Sequence, residues 1–114
     1  MTTLDRLDIY HKARATCAVA YVLAGELRDR DLKDQIRRAA TSVVLNIAEG
    51  RGRGSDLDFA RCLAIARGSN TELTAQLTIA GDIGLLPRGR VMVLVADIDR
   101  VGRMISGLIK RLRG

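Results

Sequence analysis

Asp8 and His11 stand three positions apart, a spacing that puts a carboxylate and an imidazole on one side of a helix. Such a pair could serve as an assisted base or as half of a metal site. A second set is amidic, hydroxylic and acidic. Gln35, Ser42, Asn46 and Glu49 recur at helical spacing, as do Ser69, Glu72 and Gln76, so two polar strips could face each other across neighbouring helices. A third set is the glycine turn Gly50-Arg51-Gly52-Arg53-Gly54, which superficially has the look of a loop that cradles phosphate at a helix N-terminus. The fourth is cationic: Arg100, Arg103, Lys110 and Arg111 fall together on a helical wheel, with Arg88, Arg90 and Arg113 at the ends of the same segment.

Each set is tested by what its chemistry still lacks. His11 is the only histidine, and a bundle metal centre needs Glu-x-x-His from two helices with further glutamates. It reads as a surface or boundary residue. The polar strips offer glutamates without a histidine or an activated nucleophile, which points to a hydrogen-bond seam that sets helix register rather than to a catalytic centre. A dinucleotide fingerprint needs a strand before its glycines, and a phosphate-binding P-loop needs Gly-Lys-Ser/Thr; neither accompanies the glycine turn. Asp56 and Asp58 then place negative charge where an anion would sit. The turn therefore reads as structural, with Arg51 and Arg53 pairing to Glu49 or to an acid of a neighbouring subunit, and contact with phosphate is their secondary role.

Charge places the best binding surface elsewhere. The formal net charge is +6, of which residues 88–114 carry +5 and residues 1–87 only +1. An excess of this kind attracts RNA or DNA through its phosphates. The segment lacks aromatics for base stacking, so binding would be directed at the backbone with little sequence preference. The alternatives are a solvated face and a surface for an acidic protein. A membrane-surface helix is disfavoured, because the apolar stripe opposite the cations is needed inside the fold and lacks Trp or Phe anchors.

The elements that must hold these residues are all helical. A first helix, capped by Thr2 or Thr3, has its apolar side at Ile9, Tyr10, Ala13, Cys17, Ala20, Tyr21 and Ala24. Asp31 is placed to cap a second, over 32–49, with its stripe at Leu32, Ile36, Ala39, Ala40, Val43 and Ile47. Gly50, Gly52 and Gly54 are expected to end that helix through left-handed backbone, and Ser55 or Asp56 to start a third. The third buries Phe59, Leu63, Ala66, Leu73, Leu77 and Ala80; Gly84 and Pro87 separate it from a fourth, whose Val91, Leu94, Val95, Ile98, Val101, Ile105, Leu108 and Leu112 recur nearly as heptads.

Four amphipathic helices on short links imply an all-α, antiparallel up-down four-helix bundle, a single domain over residues 1–114. With 47% hydrophobic but only 3% aromatic residues and one proline, the core is built from Ala, Leu, Ile and Val. Cys17 and Cys62 stand in no metal-ligand or redox spacing and read as reduced core thiols. No leader opens the sequence and the longest apolar-rich run, residues 15–24, is too short to cross a bilayer, so a cytoplasmic protein is expected. The first helix is apolar almost all round, and the second carries Val44, Leu45 and Ala48 off its core stripe. Such surplus faces call for a homo-oligomer.

The ordered blocks Gln35-Ile36-Arg37-Arg38-Ala39-Ala40, Ser42, Asn46-Ile47-Ala48-Glu49-Gly50, Arg53, Phe59, Ile65-Ala66-Arg67-Gly68-Ser69, Glu72-Leu73 and Gln76-Leu77 resemble a bacterial four-helix-bundle family. Its members are named after proteins encoded in intervening sequences of large-subunit ribosomal RNA genes. The likeness is strong over about residues 4–86 and one of character in the fourth helix. It implies a left-handed bundle and, as in the related accessory proteins of diversity-generating retroelements, a ring-shaped homopentamer. It implies no enzymatic activity, cofactor, metal or small-molecule substrate, and leaves RNA or DNA as expected partners. The charged link Arg28-Asp29-Arg30-Asp31 departs from the family's longer connection, which carries an aromatic and a proline.

Overall fold

The computed structural model describes residues 3–114, with the side chains of residues 6–114. It contains four helices: α1 (Thr3–Ala24), α2 (Arg30–Gly52), α3 (Asp56–Asp82) and α4 (Arg88–Arg113). No strand occurs among the described residues. The globule measures 43 × 22 × 17 Å. Its long axis is about the length of one 26-residue helix at ~1.5 Å per residue. Thr2 and the side chain of Thr3, expected to cap α1, lie outside the described residues.

The ends of the helices follow from local chemistry, not always where the sequence pattern put it. Asp29, rather than Asp31, caps α2 by accepting a hydrogen bond from the Leu32 amide at 3.0 Å. Asp31 instead lies in the first turn, where the helix dipole favours its charge. Helix α2 also runs past Gly50 to Gly52 and stops at Arg53 in extended backbone (φ −75°, ψ 151°). Among the described residues only Gly84 and Gly114 have positive φ, so no left-handed glycine ends α2. Gly50 serves a different purpose. It is buried against α3, and a Cβ there would lie 2.7 Å from Phe59 Cδ1 and 2.9 Å from Cys62 Cβ. The missing side chain lets α2 and α3 approach closely where the turn joins them.

Ser55 caps α3 by accepting from the Asp58 amide at 3.1 Å. At the other end Gly84 (φ +77°) is the left-handed residue of a Schellman arrangement. Its amide donates to Gly81 O at 3.2 Å, and the Leu85 amide to Ala80 O at 2.9 Å. Pro87 then starts α4, where a missing amide hydrogen costs nothing.

Helix α1 packs along α2 and α4, and α3 along the same two, while α1 and α3 meet across the bundle through side chains, Arg6 with Asp56 and Ile9 with the cluster around Phe59. Buried residues form two clusters along the bundle. One gathers Leu23, Ile36, Leu73, Leu77, Leu94 and Ile98; the other surrounds Phe59 with Ile9, Ile47, Leu63, Ile105 and Leu108. Tyr21, expected in the core, is 43% exposed, and Leu23, outside the expected stripe, is buried beside Ala24. Of the surplus apolar positions, Val19, Val22 and Leu45 are outside, 55%, 72% and 64% exposed, whereas Val44, expected off the core stripe, is partly buried and packs against the core. No helix is long and apolar enough among the described residues to cross a membrane.

Candidate functional site

The polar strips of α2 and α3 meet at one point. The hydroxyls of Ser42 and Ser69 are 2.8 Å apart across the two helices. Asn46 Nδ2 donates to the Ser42 carbonyl at 2.8 Å and reaches Ser42 Oγ at 3.2 Å. The other members do not join this node. Glu49 turns outward to Arg53 at 2.8 Å, and that hydrogen bond holds the Arg53 guanidinium above its ordinary pKa. Gln76 donates to Glu72 on its own helix at 3.2 Å, and Gln35 is exposed with no hydrogen bond among the described residues. Two hydroxyls and an amide without a nearby base hold the helices in register but do not activate a nucleophile.

Two features of the polar interior lie beyond the periodicity of any one helix. Asn70, 5% exposed, donates to the Ile98 carbonyl of α4 at 2.9 Å. Gly102 stands beside it, where a Cβ would come within 3.1 Å of Asn70 Nδ2. The only sequence signal is an asparagine at core spacing in α3 and a glycine within α4. Gln76, 7% exposed, and Asn70 each keep one side-chain oxygen without a hydrogen-bond partner among the described residues.

The cations divide by what they already hold. Arg100 pairs with Asp97 and Arg103 with Asp99 along α4. Arg88 and Arg90 reach Asp82 and Glu26 at 3.8 and 2.8 Å. Arg51 lies over the Tyr10 ring with its guanidinium carbon 5.2 Å from the centroid, and Arg14 lies 5.5 Å from the same ring. Lys110 and Arg111 are exposed in the last turn of α4, beside Arg113, and form no ion pair among the described residues. No acidic residue follows Asp99 in the sequence.

Arg88 and Arg90 stand at the start of α4 and Lys110, Arg111 and Arg113 at its far end, where α1 and α3 begin. Arg6 bonds Asp56 at 3.1 Å and lies over Phe59, while Asp8 and Ile9 share a cleft with Arg103 and Arg111. At the start of α3, Asp56 holds Arg6 and Asp58 holds Arg61 at 3.2 Å, so carboxylates occupy the helix terminus that an anion would need. His11 is exposed, with its ring 5.9 Å from that of Tyr10. No group of three or more His, Cys, Asp or Glu side chains among the described residues is arranged to hold a metal. On the opposite flank from the serine node, α1 and α4 leave a groove of about 490 Å³ between them, lined by both apolar and cationic side chains.

The family model described as 23S rRNA-intervening sequence protein matches residues 5–107. That match extends into α4, past the last of the motif blocks. Among solved structures, the chain resembles a protein of unknown function from the S23 ribosomal protein family of Bacteroides thetaiotaomicron. The TM-score is 0.83 at 22% identity, over 90% of this chain and 98% of that one. An identity this low carries the fold alone. No curated protein matches the chain.

Proposed function

The chain belongs to the 23S rRNA-intervening sequence protein family, and from that premise we propose a non-enzymatic, oligomeric scaffold that holds RNA or DNA by the phosphate backbone. Its unit is a single-domain, antiparallel up-down bundle of left-handed sense, acting in the cytoplasm. Short links and the pairs Tyr21 with Arg37, Tyr10 with Arg51 and Ser42 with Ser69 support that topology. The exposed Val19, Val22 and Leu45 support self-association, and the family resemblance suggests a ring of five.

The observation that carries nucleic-acid binding is the last turn of α4. Lys110 and Arg111 are exposed and lack carboxylate partners among the described residues, so their charge is available to phosphate. Arg100 and Arg103 are each partly neutralised by an aspartate on the same helix. They contribute less, and Arg53, bound to Glu49, less still. Repetition around an oligomer would multiply a modest patch into a strong field.

The same two ion pairs favour a second reading, a protein-interaction module without nucleic acid, and a salt titration separates the two. Retention of RNA or DNA in a gel at low salt should fall with a log-log slope of about 0.7 to 0.9 per phosphate neutralised. Lys110→Glu with Arg111→Glu should flatten that slope by about one unit for each phosphate that is no longer neutralised, and more than Arg100→Glu with Arg103→Glu does. Absence of retention by the unaltered protein at low salt overturns the reading.

A further inference from the structure

We infer that the subunits join head to tail, the outer ridge of α3 on one copy seating in the groove between α1 and α4 of the next. The inference rests on the oligomeric reading above and names the surfaces that mate. Ile65, Gly68, Glu72, Ala75 and Ile79 follow one another at three- and four-residue steps along α3, and all five are exposed. The isoleucines are 55% and 53% exposed. Between them the surface is low: a Cβ added to Gly68 meets nothing within 4 Å. This is an apolar ridge with a central small-residue saddle, a form that allows close approach of another helix, and it carries a carboxylate at its middle.

The groove is its complement in both respects. Ala15 and Val19 of α1 with Leu94, Val101 and Met104 of α4 line it with apolar surface. Lys12, Arg100 and Arg103 add cationic groups; Asp97 and Asp99 partly neutralise the two arginines, and Lys12 makes no ion pair among the described residues. Charge also selects α3 as the occupant. It is the only helix of net negative charge, −2, whereas α1, α2 and α4 carry +1, +2 and +5. Glu72 makes no ion pair among the described residues, only accepting a hydrogen bond from Gln76. A nucleic-acid strand would satisfy the cations of the groove but leave its apolar lining wet.

Because all five ridge residues are exposed within a protomer and none of them lines the groove, no copy fills its own groove with its own ridge. The two surfaces are different, so the contact is heterologous and propagates until it closes on itself. That geometry gives a test that a two-fold interface cannot imitate. Gly68→Trp blocks only the ridge and Val19→Glu only the groove, and both positions are exposed enough to leave the protomer folded, which the helical circular-dichroism signal checks.

Sedimentation velocity should show the unaltered protein as an oligomer and each variant alone as a monomer. A mixture of the two variants should form a one-to-one pair and nothing larger, since each retains the half that the other lacks. A monomeric unaltered protein overturns both this assignment and the oligomeric reading. An oligomer that survives either substitution, or a mixture that stays monomeric, overturns the assignment alone.

Discussion

Gly50 shows how a residue can be singled out correctly for a mistaken reason. Its place in a glycine-rich run suggests a left-handed helix end, yet its backbone is helical and its role is to let Phe59 and Cys62 come close. Gly50→Ala should therefore cost about 1 to 3 kcal/mol in urea unfolding, the usual cost of overpacking. Gly52→Ala, where a Cβ has open space, should be neutral or stabilising by up to ~1 kcal/mol, as alanine exceeds glycine in helix propensity. Equal effects at the two positions would contradict the close-approach account. Cys17 offers a second check at this scale. Partial burial pushes its thiol above the ordinary value, so less thiolate is present at any given pH, and alkylation in the native state should lag behind that of a free thiol until pH is raised further. Among the site residues, periodicity placed Ser42, Asn46 and Ser69 near one another. It could not foretell that Glu49 turns to Arg53 or that Arg100 and Arg103 carry aspartate partners, because which of several rotamers a long exposed side chain adopts is not written in its spacing.

The helices themselves were legible because their apolar stripes are long and regular. Their ends were harder. In Arg28-Asp29-Arg30-Asp31 either aspartate supplies a capping oxygen, and only the packing of Leu32 and Leu27 onto the core settles that Asp29 meets the Leu32 amide. Asp29→Ala should cost about 1 kcal/mol of stability, and Ser55→Ala a similar amount at the start of α3. Asp31→Ala should cost less, since it removes only a favourable dipole interaction. Chemical denaturation of the three variants orders them, and a larger loss at Asp31 would return the cap to where the sequence pattern puts it. The Asn70–Gly102 contact belongs to this scale too. Its two partners lie on different helices, so no periodicity along either one links them.

At the scale of the molecule, the class of fold followed from four stripes, three short links and the lack of any strand pattern. The surplus of apolar surface on α1 and α2 was also readable. How such surfaces match was not, because two faces must be compared in space before a ridge and a groove can be recognised. If copies associate through them, the melting temperature should rise with protein concentration, since association adds a mass-action term to stability. A melt unchanged over a hundredfold dilution would speak for an independent protomer. The aromatic content has an optical consequence. The sequence contains no tryptophan and two tyrosines, each beneath guanidinium groups of the adjoining helix: Tyr10 with Arg51, and Tyr21 with Arg37 at 4.2 Å. Near-ultraviolet emission therefore arises from two chromophores near opposite ends of the same α1–α2 seam, with no indole to mask them. Replacing either tyrosine by phenylalanine leaves a single-site native gauge, able to tell whether that seam parts from one end or from both.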